Sequence, residues 1–141
     1  MKRSNLKKLT LLAVLAATLL ISNLGLAQMG ATQYKATIPF EFQLAGKVLP
    51  AGNYIVKVTD HFVQIRPVDS AKGVGIVTLR AERKQTAKKD MLEFNVYGNQ
   101  YFLSQVWFEG SELGRSVVTS KAEMEIASET GESHIQLAMK K

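Results

Sequence analysis

From Tyr34 onward the apolar residues of this chain recur at every second position, in short runs separated by proline, glycine, aspartate and asparagine. A period of two places successive side chains on opposite faces of an extended backbone, so each run reads as a strand with one buried face. In Tyr34 to Phe42 (YKATIPFEF), Ala36, Ile38, Phe40 and Phe42 share one face. Pro39 has no backbone donor, which places this strand at an edge or at a bulge. Leu49-Pro50-Ala51-Gly52 makes a turn, because Pro50 presets φ and Gly52 permits positive φ. Tyr54 to Thr59, Phe62 to Arg66 and Val74 to Leu79 are further strands, joined by Asp60-His61 and by the turn residues Asp69, Ser70 and Gly73. This spacing predicts a meander of antiparallel strands.

Arg80 to Asp90 (RAERKQTAKKD) is polar and reads as a long hairpin loop. A hairpin follows: Leu92, Phe94 and Val96 alternate, Gly98-Asn99 turns the chain, and Tyr101 to Phe108 (YFLSQVWF) returns it. The return strand is apolar on both faces, as a strand covered on both sides requires. On a strict period of two, Tyr101 and Trp107 share one face, and Phe102 and Phe108 share the other. One of these faces must be core; the second is either core as well or lines a cavity or a partner site. Glu109 to Gly114 reads as a loop. Ser120 and Glu123 have capping-box spacing, predicting a helix from Lys121 to about Ser128 whose glutamates face solvent. His134 to Met139 alternates again and supplies a strand able to close the sheet. The expectation is an all-β antiparallel domain of seven or eight strands, barrel-like or a sandwich, with one short C-terminal helix. The barrel is preferred because closure removes edges.

The first 27 residues follow a different logic. Met1 to Lys8 is basic, Leu9 to Ile21 (LTLLAVLAATLLI) is an unbroken apolar run, and Gly25 and Ala27 are the small residues before a cleavage point. This is the three-part order of a secretory signal. The apolar run is shorter than the ~20 residues that a membrane span needs. Residues 1 to 27 are therefore expected to be removed and residues 28 to 141 to form one exported β domain, periplasmic or extracellular, with no transmembrane span after cleavage. Charge supports this division. Taking away Lys2, Arg3, Lys7 and Lys8 leaves 14 basic against 12 acidic residues, so the whole-chain charge of +6 falls to +2. The basic balance belongs mostly to the leader and gives no reason to expect a nucleic-acid partner. With no cysteine there is no disulfide, thiolate nucleophile or thiolate metal site.

Three stretches taken together, IPFEFQLAGKVLPAGNY (38–54), YGNQYFLSQVW (97–107) and SKAEMEIA (120–127), resemble a group of small secreted β-proteins of unknown function found mainly in Acidobacteria and related soil bacteria. The shared pattern is PF-x-F, then LPAG-x-Y, then Y-x-LS-x-VW, and it covers nearly all of the chain after the leader. The resemblance implies export and a β fold. Its motifs are turns and core positions, so it carries no catalytic or binding residue onto this chain.

Enzyme chemistry has few supports in the sequence. There is no G-x-S-x-G nucleophile elbow, and the two histidines, His61 and His134, lie far apart. Asp60-His61 alone does not make a metal site. Gly73-Val74-Gly75 reads as a turn entering a strand rather than a phosphate loop. The short charged strands do not suit an outer-membrane barrel. The expectation is a non-enzymatic binding or interaction module with no catalytic, cofactor or metal residues. Tyr97, Tyr101 and Trp107 are the candidate ligand or partner surface, and the partner is a small apolar ligand, an envelope polymer or another exported protein. An alternative is a structural or stress-related envelope component whose loop 80–89 contacts anionic polymer or lipid through Arg83, Lys84, Lys88 and Lys89. A further alternative is an enzyme with an unfamiliar site built on Asp60, His61 or tyrosines.

Overall fold

The computed structural model describes residues 30–141; residues 1 to 27, expected to be a secretory signal, lie outside the described residues. Among the described residues, ten strands and one helix follow in the order β1 (Thr32–Ile38), β2 (Phe42–Leu44), β3 (Lys47–Leu49), β4 (Gly52–Val58), β5 (Phe62–Pro67), β6 (Val74–Glu82), β7 (Met91–Tyr97), β8 (Gln100–Trp107), β9 (Leu113–Val117), α1 (Lys121–Glu129) and β10 (Glu132–Ala138). The sheet runs β1-β4-β5-β6-β9-β8, and β7 and then β10 continue it from the other edge of β8. The short hairpin β2–β3 lies beside β8, where Gln43 pairs in parallel with Phe102.

The mostly β class with one short helix matches the sequence expectation, but three details differ. The sheet has ten strands and is mixed, because the β2–β8 contact is parallel. It is also open rather than closed into a barrel. β10 pairs along its length with β7, and the chain just beyond β10 bridges to β1 at the isolated pair Lys35–Lys140. Residues 80–90 are not a hairpin loop either. β6 extends to Glu82 and pairs with β5 and β9, so residues 83–90 cross over from β6 to β7. They are pinned by buried Ala87, whose amide donates to the Ser111 carbonyl at 3.0 Å, and by buried Asp90, whose Oδ1 accepts the Glu109 amide at 3.0 Å.

The run YKATIPFEF divides at Pro39. Ile38 ends β1 beside β4, and Phe42 starts β2 beside β8, so a chain unable to donate at Pro39 turns a corner there. The alternation survives the corner. Ala36, Ile38 and Phe42 are buried, and Phe40 packs on the same core. Phe42 makes edge-on contacts with Tyr54 and Phe94, at ring-centroid distances of 5.4 and 5.5 Å. The Tyr54 hydroxyl donates to the Pro50 carbonyl at 2.5 Å, which ties the LPAG turn to the core that it borders. The β2–β3 turn places Ala45 (φ 52°) and Gly46 (φ 72°) both at positive φ. Alanine is unusual at such a position, and the hairpin gives no asparagine or glycine signal at that residue.

β8 contains one residue more than its partner. Glu93 pairs with Gln105 and Phe94 with Leu103, leaving Ser104 unopposed. Its hydroxyl donates to the Glu93 carbonyl at 3.0 Å. This bulge inverts the parity of the strand. Tyr101 and Leu103 face the core before it, and Val106 and Phe108 face the core after it. Trp107 joins a separate cluster with Ala87 and Met91.

β9 escaped the sequence reading because Gly114 and the polar Arg115 and Ser116 interrupt its alternation. Gly114 is needed for close approach. A Cβ there would lie 2.5 Å from the Val106 carbonyl oxygen and 2.5 Å from Trp107 Cε3. Gly114→Ala is therefore expected to lower unfolding stability by about 2 kcal/mol through overpacking. Gly131→Ala, where a Cβ meets nothing within 4 Å, should change it by less than about 0.5 kcal/mol. Thermal denaturation of the two variants side by side checks this, and equal melting temperatures would contradict the close approach.

Candidate functional site

The site begins with the register of two strands. β6 and β9 pair so that Thr78 faces Val117 and Arg80 faces Arg115. Val74 and Ile76 of β6 pack on the core, and Thr78 and Arg80 continue the same face toward the end of the strand. Two arginines thus stand directly opposite each other across the pair, an arrangement that like-charge repulsion disfavours. Each has one carboxylate neighbour. Arg80 lies 3.2 Å from Glu82, with both side chains exposed, and Arg115 lies 3.5 Å from Asp60. The Arg115 side chain is 19% exposed, whereas that of Asp60 is 93% exposed.

Asp60 and His61 arrive from the β4–β5 turn. This turn is held by the Thr59 amide donating to the Phe62 carbonyl, and by the Thr78 amide donating to the His61 carbonyl, both at 2.9 Å. Together with Phe108, Ser111 and Leu113 these residues line a cleft of about 420 Å³. Thr78 is 3% exposed, and its hydroxyl has no hydrogen-bond partner among the described residues. A buried hydroxyl left unpaired loses its hydration without replacement. The cleft therefore combines a buried free hydroxyl, two guanidinium groups and apolar walls.

The three aromatic residues singled out from the sequence do not form one surface. Tyr97 is buried, and its hydroxyl donates to Glu123 Oε1 at 3.4 Å. Tyr101 lies on the core face and stacks on Phe40 with centroids 3.9 Å apart. Trp107 is buried on the opposite face. The expected common face of Tyr101 and Trp107 fails because the extra residue at Ser104 inverts the alternation between them.

The basic segment also divides. Arg83 is half-buried, with its guanidinium carbon 4.9 Å from the centre of the Trp107 ring. This is a cation–π contact. Lys84, Lys88 and Lys89 are exposed. Arg83 and Trp107, expected to serve two different surfaces, are thus neighbours in one packed cluster.

Helix α1 starts as its sequence suggests, with the Ser120 hydroxyl accepting the Glu123 amide at 3.2 Å. Glu123 itself departs from expectation. It is buried, and its Oε1 accepts from Asn95 Nδ2 at 2.8 Å as well as from Tyr97. Asn95 Oδ1 in turn lies 3.0 Å from His134 Nδ1. This polar network attaches the helix to the β7–β10 face, and no apolar stripe does so, since Ala122 is exposed and Ile126 only half-buried.

No family model, curated protein or solved structure matches the chain. Among the described residues no helix is long and apolar enough to cross a membrane.

Of the cleft residues, Asp60 and His61 stand out in the sequence for enzyme chemistry and Arg80 falls within the basic stretch, whereas Thr78 and Arg115 carry no local mark. Their signal was positional: only the β6–β9 pairing sets Arg115 against Arg80.

The buried network sets a pH response. Burial first, and then the charges of Glu123 and Glu132 and hydrogen bonds to them, push the Tyr97 phenol from 10.0 up to about 12. A raised phenol pKa means that the fold holds the proton more tightly than the unfolded chain does. The associated stability is complete below pH 10 and is lost as pH rises towards 12. Titration by tyrosinate absorbance should show Tyr97 ionising near pH 12, and Glu123→Gln should lower that midpoint. An unchanged midpoint in the variant would remove Glu123 from the network.

Proposed function

We propose that the chain is an exported, non-enzymatic binding module that takes a small ligand at the cleft bounded by Asp60-His61, Thr78-Arg80 and Leu113-Arg115. The lining of the cleft carries this reading: Arg80 and Arg115 meet Phe108 and Leu113 around about 420 Å³, whereas the two clefts of similar volume beside Tyr54 hold no arginine. Its position at one end of the sheet follows from the packing elsewhere. Tyr54, Phe42, Phe94, Ile38 and Leu103 fill the interior with almost no exposure, so an apolar ligand has no room among them. Export is supported by the basic, apolar and small-residue order of residues 1 to 27.

Native mass spectrometry of the protein expressed with its own leader and purified from the exported fraction tests both halves. The expected species starts at Gln28 and carries extra mass that disappears on denaturation. Retention of residues 1 to 27 would overturn export; a bare mature mass that stays unchanged when candidate ligands are added would overturn the binding module.

A second reading is favoured by the anchoring of residues 83–90. Lys84, Lys88 and Lys89 stand exposed on a segment fixed at Ala87 and Asp90, a rigid cationic edge suited to anionic envelope polymer or lipid head groups. Binding to anionic vesicles should then weaken sharply as salt is raised through about 0.1 M, where screening acts over ~10 Å. Binding that persists in the triple lysine-to-alanine variant would exclude it.

A further inference from the structure

The cleft also indicates what kind of ligand it takes. We propose that it binds an organic monocarboxylate, with Arg115 and Thr78 receiving the carboxylate and with Asp60 competing for Arg115 in the empty state. This rests on the binding-module reading and adds the chemical class.

Four observations converge. First, the β6–β9 register sets Arg80 and Arg115 opposite each other at one end of the sheet, each beside an exposed carboxylate that an incoming anion can replace. Guanidinium groups present paired donors that match the geometry of a carboxylate. Second, Thr78 supplies a buried hydroxyl with no partner among the described residues, at the cleft wall and two residues before Arg80 on the same strand face. That hydroxyl is sealed from solvent in the empty state, and an anionic oxygen that reaches it on binding satisfies it. Third, each arginine already has one carboxylate neighbour, Arg80 with Glu82 at 3.2 Å and Arg115 with Asp60 at 3.5 Å, so a ligand that displaces Asp60 alone replaces one negative charge, which suits a monoanion better than a dianion. Fourth, Phe108 and Leu113 line the same space, so the rest of the ligand meets an apolar surface.

Asp60 then has a defined part. Its carboxylate lies 3.5 Å from Arg115 but is itself 93% exposed. Exposed ion pairs are weak. An incoming carboxylate that also bonds Thr78 and reaches Phe108 and Leu113 can displace it. Asp60 acts as an internal placeholder for the ligand's charge.

The test is amide NMR titration of the mature product, residues 28 to 141, with hexanoate, hexanol and hexylamine. Hexanoate should move the amides of His61, Thr78 and Arg115 saturably, and the neutral and cationic analogues should not. Thr78→Val should weaken hexanoate binding by about tenfold, the loss expected for one hydrogen bond to a charged group. Asp60→Asn should tighten it by about threefold, within the range of an exposed ion pair. A gain in affinity cannot arise from a damaged fold, so this variant keeps the proposal falsifiable if Thr78→Val unfolds. If hexanol binds at the same amides as tightly as hexanoate, the carboxylate assignment is overturned and the binding module stands. If Asp60→Asn leaves hexanoate affinity unchanged, the competition is overturned. If no probe moves any of these amides, the assignment fails together with the cleft as a small-ligand site.

Discussion

The single unpaired residue at Ser104 governs how this sheet is covered. A strand with strict alternation offers one set of side chains to each side from end to end. With the bulge, β8 gives Tyr101 and Leu103 to the core and then returns to the core at Val106 and Phe108. Phe102 and Trp107 are left for the other side. Both sides of the hairpin can then be buried without an aromatic excess on either one. The Ser104 hydroxyl bonded to the Glu93 carbonyl holds the distortion in place. From this follow the stacking of Phe108 on Tyr34, the seat of Trp107 over Ala87, and the close contact that makes Gly114 necessary.

The strands with clean alternation and glycine or proline boundaries were legible in the sequence: β1, β4, β5, β7 and the body of β6. So were the capped start of α1 and the Gly98-Asn99 turn, where only Gly98 takes positive φ. What was not legible depended on pairing between distant segments. β9 lacks an apolar rhythm because its middle faces Trp107 as glycine and the cleft as arginine. The β2–β3 turn relies on an alanine in a conformation that alanine rarely takes. The bulge leaves no local mark, since serine is ordinary in a strand. The candidate cleft shared this limit. Its residues were visible as types, but Arg80 and Arg115 become a pair only through a register that no local pattern encodes.

Polar groups are treated unequally across the molecule. Around Glu123, burial is matched by donors from Asn95 and Tyr97, and the network docks a helix that has little apolar surface of its own. Around Thr78, burial is not matched, and two arginines are brought into opposition close by. A satisfied buried network specifies structure. An unsatisfied one beside an accessible cleft is a local conflict of the sort that folds keep where function requires it. Trp107 Nε1 and a guanidinium nitrogen of Arg83 are also buried without partners, but these two side chains pack on each other, whereas Thr78 lies in the wall of a cleft.

The lone bridge between Lys35 and Lys140 has a consequence for how the molecule breathes. It consists of two backbone hydrogen bonds, at 2.6 and 2.9 Å, between a long edge strand and the penultimate residue of the chain. Such a seam opens without unfolding the rest, so the amides of Lys35 and Lys140 exchange with solvent through local fraying rather than global unfolding. Once open, the seam bares the edge of β1, a template onto which another chain's strand could add. Lysines at both bridge positions place positive charge along that edge and discourage such pairing.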